Sequence, residues 1–468
     1  MGFFLIGLVA CSSGSGSSAQ EVEPWDAPPA RWVSDLGRFD EPNTYNRYSS
    51  VSNGGRWVVF NSEVADKPAR IFLVNTRTGT VRQVDDSYDG TRRTADGVRR
   101  YHGAGVDPQI TPDGRFVVFS SAFSNLVRRD RNDAVDIFVY DRMTRKTRTV
   151  SRSDDGDQAN LGSYNPSISA NGRFVVFDSR ASNLVEDDRD HRSDVFRRDL
   201  RTGRTELVSV GAEGKSNGWS TRADVSADGT RVSFVSDASN LVEGDTNELM
   251  DVFVRDIAEA ETMRVSVTSD GEQYETFESE ESASVYHANV REPQISDNGQ
   301  VVVFSGNANR LVVDDVNYND DIFIHQLIAG TTTRVSVRSD GGDAYGEASV
   351  ECGRDPVCAQ FTRTHSPSIS ADGTLVYFIS AAPLLSDEDS DDEARGSEEQ
   401  VFVRDVANGL TLLVSRYRKG EPVESSNWYA GAISADGRWV SYSNNSIKLD
   451  GRGGDQDPGP DVFLQRLP

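Results

Sequence analysis

Histidine and cysteine are scarce in this chain, with 5 and 3 among 468 residues. The histidines, His102, His191, His287, His325 and His365, stand far apart, and none has the i, i+4 or other spacing of a metal-binding pair. Basic charge is also short: 49 Lys and Arg against 74 Asp and Glu leave a formal net charge of -25. Such a chain is poorly suited to bind nucleic acid or anionic lipid through charge. No apolar segment is long enough to span a bilayer. No Gly-x-Ser-x-Gly elbow is present to carry a hydrolase nucleophile.

What the chain has instead is one phrase written seven times. The clearest copies read PQITPDGRFVVF ending at Phe119, PSISANGRFVVF ending at Phe177 and PSISADGTLVYF ending at Phe378; others end at Phe60, Phe234, Phe304 and Tyr442. The turn glycines Gly55, Gly114, Gly172, Gly229, Gly299, Gly373 and Gly437 recur every 57 to 74 residues. Repetition at this period marks a repeat architecture. Each unit predicts four strands. A Pro-x-Ile-Ser segment (a) turns through Asp-Gly or Asn-Gly into a Val-Val-Phe run (b). A polar loop leads to Asp-Val-Phe-Val (c), and a short turn leads to a Thr/Arg-Val-Ser strand (d). Four antiparallel strands repeated around an axis make a propeller blade. The seventh unit ends with strand c at 461–464, while Arg31-Trp32-Val33-Ser34 has the form of a strand d with no blade of its own. The expected fold is therefore all-β: a seven-bladed β-propeller of four-stranded antiparallel blades, closed by an N-terminal strand that completes the last blade.

These repeats resemble the TolB-type propeller, the family of WD-repeat-like blades built on Ser-x-Asp-Gly-x-x-Val-x-Phe followed by Asp-Val-Phe-Val-x-Asp. The resemblance covers residues 31–468. TolB itself has six blades and an α/β domain in front, and neither is found here. The resemblance implies a periplasmic or surface scaffold that binds proteins at one mouth of its channel, by analogy of fold.

The amino terminus is expected to be a lipoprotein signal and Ser/Gly tether over residues 1–20, with the propeller over 21–468. Leu8-Val9-Ala10-Cys11 resembles a bacterial lipobox, in which the signal is cut before a cysteine that becomes lipidated. The absence of a basic n-region departs from that pattern, and a start further upstream would explain it. Ser12 after the cysteine suggests outer-membrane sorting by the family rule. The expected location is the bacterial cell envelope, periplasm or outer membrane, lipid-anchored at Cys11; mass spectrometry of the mature amino terminus reads this directly. Cys352 and Cys358 share one loop, where a disulfide fits an oxidising compartment better than a two-cysteine metal site.

Function is expected on the face opposite the Asp-Gly turns, where the b-to-c and d-to-a loops emerge. In the b-to-c loops, Glu243, Asp245, Asn247 and Asp251 resemble the calcium loops of integrin-type propellers, and Glu186, Asp188, Asp190 and Asp194 repeat the pattern. Partial forms are Asp130, Asn132 and Asp136, and Asp315, Asn317 and Asp321. Calcium is the cofactor these suggest; the plainer reading is that the Asp before strand c makes an Asx-type turn and the rest are solvated. A second set precedes the inner strands: Tyr45, Arg47 and Tyr48; Tyr101 and His102; Tyr164; Trp219 and Arg222; Tyr286, His287 and Arg291; Arg363 and His365; Trp428 and Tyr429. They could ring the channel mouth as ligand-binding anchors, or pack the loops onto the rim.

The function read from these features is a monomeric envelope scaffold that recognises a protein, peptide or glycan at one mouth, without catalysis. The alternative is a propeller-type lyase or hydrolase with a metal-dependent site in the channel mouth, where His102, His287 and His365 could meet.

Overall fold

The computed structural model describes residues 30–34, 44–64, 69–87, 106–274, 277–278, 285–286, 289–308, 311–313, 315, 319–344, 363–382, 385, 399–416, 428–445 and 460–468. Cys11, Cys352 and Cys358 lie outside them. The described residues form seven four-stranded antiparallel blades, each ordered a-b-c-d from the axis outward. The last blade takes its outer strand from the other chain end: Arg31 pairs with Leu464 and Trp32 with Phe463. The closure expected from the Arg-Trp-Val-Ser sequence is thus the one observed.

Why each repeat carries an aromatic in strand b, inside the strand rather than at its end, is visible in the sheet. That residue pairs with the aromatic of strand c and the two rings pack face to face, as Phe119 on Phe138 at 5.8 Å between centroids and Tyr442 on Phe463 at 5.9 Å. The same pair recurs in the other blades, buried against the neighbouring sheet, except that in blade 1 the Phe60 and Phe72 rings are tilted by 36° and Phe72 is half-buried. Such pairs add to the burial of apolar area that drives the blades together.

The Val-Ser ending of strand d and the Asp beginning strand c explain each other. Ser151 donates to Asp136 at 2.5 Å and Ser209 to Asp194 at 2.8 Å, both pairs buried. Ser266 and Asp251, and Ser336 and Asp321, repeat the bond. In the closing blade Ser34 donates to Asp461 at 2.6 Å across the two chain ends. In blade 6, Gln400 replaces the Asp and accepts from Ser415 at 2.6 Å. The Asp before strand c is therefore a buried partner of strand d, which the Asx-turn expectation missed. Blade 1 alone departs, with Arg70 at the carboxylate position and Asp85 at the hydroxyl position.

In blade 1 Gly54 and Gly55 are both left-handed, but the other six a-to-b turns differ from the expected two-residue hairpin in that only the glycine is left-handed. The Asp or Asn before it works through its side chain: Asp113 accepts from Thr111 Oγ1 at 2.6 Å and from the Arg115 amide at 2.9 Å. At ring closure the glycine has a second reason. A Cβ on Gly55, whose φ is +61°, would stand 2.5 Å from the Trp439 ring of blade 7. Adjacent turns are tied by backbone bonds such as Asn53 N to Pro112 O and Ala227 N to Asp297 O. This face is plain, as expected; the open mouth lies at the other end.

Candidate functional site at the channel mouth

Every inner strand breaks register once near its start. The breaks fall between Arg47 and Ser50, Val106 and Gln109, Tyr164 and Ser167, Thr221 and Asp224, Arg291 and Gln294, His365 and Ser368, and Tyr429 and Ala432. Two residues stand outside the ladder each time, which is a β-bulge. The first is left-handed in six blades: Tyr48, Asp107, Asn165, Arg222, Glu292 and Ser366 have φ between 48° and 56°. Ala430 holds the place in blade 7. The second is proline in four blades, Pro108, Pro166, Pro293 and Pro367, where no ladder hydrogen bond is lost. The proline that the sequence suggested as the start of strand a therefore sits inside it, at the bulge.

All seven first-bulge residues line one cavity of about 450 Å³, together with Gln109, Asp224, Gln294 and His365. Glu292 Oε1 stands 3.7 Å from Arg222 Nη1, and Oε2 accepts from the Ser366 amide at 2.8 Å and from Ser305 Oγ at 3.2 Å. His365 Nε2 stands 3.0 Å from Glu399. Beneath them Asp178 accepts from Asn165 Nδ2 at 2.8 Å, Thr221 Oγ1 at 2.9 Å and the Arg222 amide at 3.1 Å. It thereby holds the bulges of two adjacent blades. Asp224 accepts from Ser167 Oγ at 2.5 Å and the Ile295 amide at 2.9 Å. Burial raises the pKa of Asp107, with Arg222 opposing the rise and Glu292 adding to it.

Of the expected ligand-binding residues, the structure brings Arg222 and His365, with Tyr48, to this cavity. The others described go elsewhere. Arg47 lies over the Tyr45 ring at 4.8 Å, and Arg180 over Trp219 at 5.4 Å. Arg291 pairs with Asp320 at 2.5 Å; Tyr164 is exposed, and Arg363 is exposed with its carbonyl bonded to the Ala381 amide. Tyr101, His102 and His287 lie outside the described residues. Tyr286, Trp428 and Tyr429 are in strands, and their side chains are outside the description. Asp107, Asn165 and Glu292 were missed. The bulge is a register shift, and no residue type marks it; the shared offset of three residues before the Ile or Val that ends strand a was the one available signal.

The acidic b-to-c loops hold cations of the protein's own. Lys215 Nζ stands 2.6 Å from Asp188, 2.8 Å from Asp190 and 2.8 Å from Asp194, a trio whose oxygens lie close enough together to hold a metal. Burial opposes the charge on Lys215, yet the three hydrogen bonds outweigh it and raise its pKa. Glu186 is exposed. Arg264 stands 3.0 Å from Asp245 and 3.7 Å from Asp251, which also accepts from Ser266 and, at 3.0 Å, from Asn247 Nδ2, while Glu243 is exposed. Arg334 stands 3.3 Å from both Asp315 and Asp321; Asn317 is outside the described residues. In blade 2, Gln158 Nε2 donates to Asp130 at 3.0 Å and to Asp136 at 3.4 Å, and Asn132 donates to the Ala159 carbonyl.

Burial sets a pH dependence. Asp85 and Asp136 are pushed up to about 7, and Asp178, Asp224 and Asp251 to about 6. These folded-state values exceed the unfolded one near 4, so the stability they confer is complete below about pH 4 and is lost as pH rises through 6 to 7. Asp141 and Asp199 are held low by Arg115 and Arg173 and act in the opposite sense, losing stability as pH falls below 4. The melting temperature is therefore expected to peak between about pH 4 and 6 and to fall toward pH 8. Asp85→Asn should flatten the alkaline limb; thermal scans across pH check both, and a maximum above pH 7 would refute the assignment.

No family model matches the chain, and no curated protein matches it in sequence. Among solved structures, the chain is similar to the β-propeller domain of the Trilobed protease from Pyrococcus furiosus, whose topology is described as an open velcro. The identity is 10%, the match covers 90% of this chain and 95% of that one, and the TM-score is 0.51. It is also similar to a puromycin-hydrolyzing peptidase of Mycobacterium tuberculosis at 10% identity, over 90% of this chain and 53% of that chain, with a TM-score of 0.50. TolB from Acinetobacter baumannii matches at 13% identity over 88% of this chain and 80% of that one, with a TM-score of 0.37. At these identities the likeness shows the fold alone. The expectation of a scaffold without catalysis is corrected to this extent: the two propellers named here with TM-scores of 0.51 and 0.50 are those of peptidases, so the fold accords with the hydrolase alternative better.

Proposed function

We propose that the chain serves peptide hydrolysis, with the channel mouth as the site that takes the substrate. The observation that carries this is the convergence of bulge side chains from all seven blades, Arg222 and Glu292 among them, on one cavity. Left-handed backbone at a non-glycine residue is strained, and strain of this kind gathers at binding and catalytic sites. The inner strands are also the free edges of their sheets, and an extended peptide can bond to such edges. Glu292, steered by the Ser366 amide and the Ser305 hydroxyl, is suited to act as base on a water molecule; Arg222 beside it can hold a developing oxyanion. The peptidases named above support a peptide as the substrate class. The envelope location and the lipid anchor at Cys11 belong to the same proposal, on the strength of residues 8–11.

The test is cleavage of pooled peptides by the purified full chain, read by mass spectrometry. Wild type should cleave, and Glu292→Gln should lower kcat at least tenfold with KM little changed. A chelator arm separates a metal-dependent reaction from one run by these side chains alone. Absence of any cleavage by folded wild type would overturn the proposal.

A further inference from the structure

We infer that the channel mouth binds its peptide by a free ammonium group docked on Asp107, so that the accepted peptides carry an unblocked amino terminus or a lysine-like side chain at that point. The word substrate here rests on the hydrolytic reading above; the binding itself does not.

The inference comes from the charges around the cavity. Arg222 has Glu292 at 3.7 Å, and His365 has Glu399 at 3.0 Å. Glu292 also has the Ser366 amide, and Asp224 has two donors. Among the described residues Asp107 alone of the charged groups lining the mouth has neither a hydrogen bond nor an ion pair to its carboxylate. It is partly buried, and Arg222 and Glu292, two and three blades from it around the ring by the shorter way, act on it with opposite signs. A desolvated carboxylate without a partner is costly, and one positive charge supplied from outside removes that cost.

The neighbouring blade says which cation fits. The Nδ2 of Asn165 is spent on Asp178 and Thr221, which leaves its Oδ1 as an acceptor at the mouth. Gln109 of the Asp107 strand lines the same cavity. A carboxylate beside neutral amide oxygens suits a group with three donors and a single charge. A divalent ion asks for several clustered carboxylates, and among the described residues the one such cluster is that of Asp188, Asp190 and Asp194.

The experiment passes an equimolar pool of tetrapeptide amides, half with free and half with acetylated amino termini, over the immobilised full chain at pH 7. Retained peptides are identified by mass. Free peptides should be enriched at least tenfold over acetylated ones on wild type, as a charge-assisted bond supplies. On Asp107→Asn, checked for an unchanged melting temperature, the enrichment should vanish. Equal retention on wild type, no retention of either kind, or enrichment that survives in the variant would each overturn the inference. The two proposals fail separately: selective retention without cleavage removes the hydrolytic one, and cleavage indifferent to acetylation removes this one.

Discussion

Removing residues 1–34 is expected to lower the melting temperature by about 5 °C relative to removal of residues 1–29, and to produce higher oligomers. The segment between those two cuts is the outer strand of blade 7. Val33 is fully buried, with its amide bonded to the Val462 carbonyl at 2.8 Å. Ser34 Oγ donates to Asp461 at 2.6 Å and accepts from the Val462 amide at 3.2 Å. Arg31 reaches into blade 1, donating to the Thr76 carbonyl at 3.0 Å. Loss of the valine costs about 2 kcal/mol of apolar burial, and the half-buried Asp461, left with Asn46 Nδ2 at 3.2 Å but without the Ser34 hydroxyl, costs roughly 1–3 kcal/mol more. In a chain of this size each kcal/mol moves the midpoint by only about 1 °C, because the unfolding entropy grows with length. Oligomers follow from the exposed edge of the strand Asp461–Arg466. Calorimetry and size-exclusion chromatography on the two truncations check this, and equal midpoints would show that the clasp contributes nothing.

Lys215→Met is expected to destabilise the chain by ~3–5 kcal/mol and to make its melting temperature rise with millimolar calcium more than that of wild type. The lysine is the single cation within 3 Å of Asp188, Asp190 and Asp194 among the described residues, and two of those three carboxylates are fully buried. Methionine fills the volume and leaves three carboxylates facing one another. Either they take up protons, which makes the loss smaller in acid, or a hard cation enters the place of the ammonium. Melting curves of both proteins with chelator and with calcium measure the difference. A variant as stable as wild type at pH 8 without calcium would contradict the role given to Lys215.

The acidic loops show where sequence reading runs short. Asp245, Asn247 and Asp251 were legible as oxygen ligands around a cation, but Arg264 comes from strand d and Lys215 from the segment after it. A residue 13 to 27 positions away can supply the charge only because antiparallel pairing folds it back, and spacing within the loop carries no trace of that. The same holds for Val-Ser and Asp-Val-Phe, legible as two strand motifs while their mutual hydrogen bond was not. At the mouth, Arg222 and His365 were singled out by type, whereas Asp107 and Glu292 look like any other acid in a chain with 74 of them.

By itself the sequence determined the blade, the number of blades and the clasp. Each follows from local pattern: alternating apolar runs, a glycine turn and a repeat that names its own missing strand at Arg31 to Ser34. Only the tertiary structure decided which side chains meet. Seven bulges, each an offset of one strand against its neighbour, turn Tyr48, Asp107, Asn165, Arg222, Glu292, Ser366 and Ala430 toward one axis. Register is a property of paired strands and convergence a property of the closed ring, so neither exists along a single repeat.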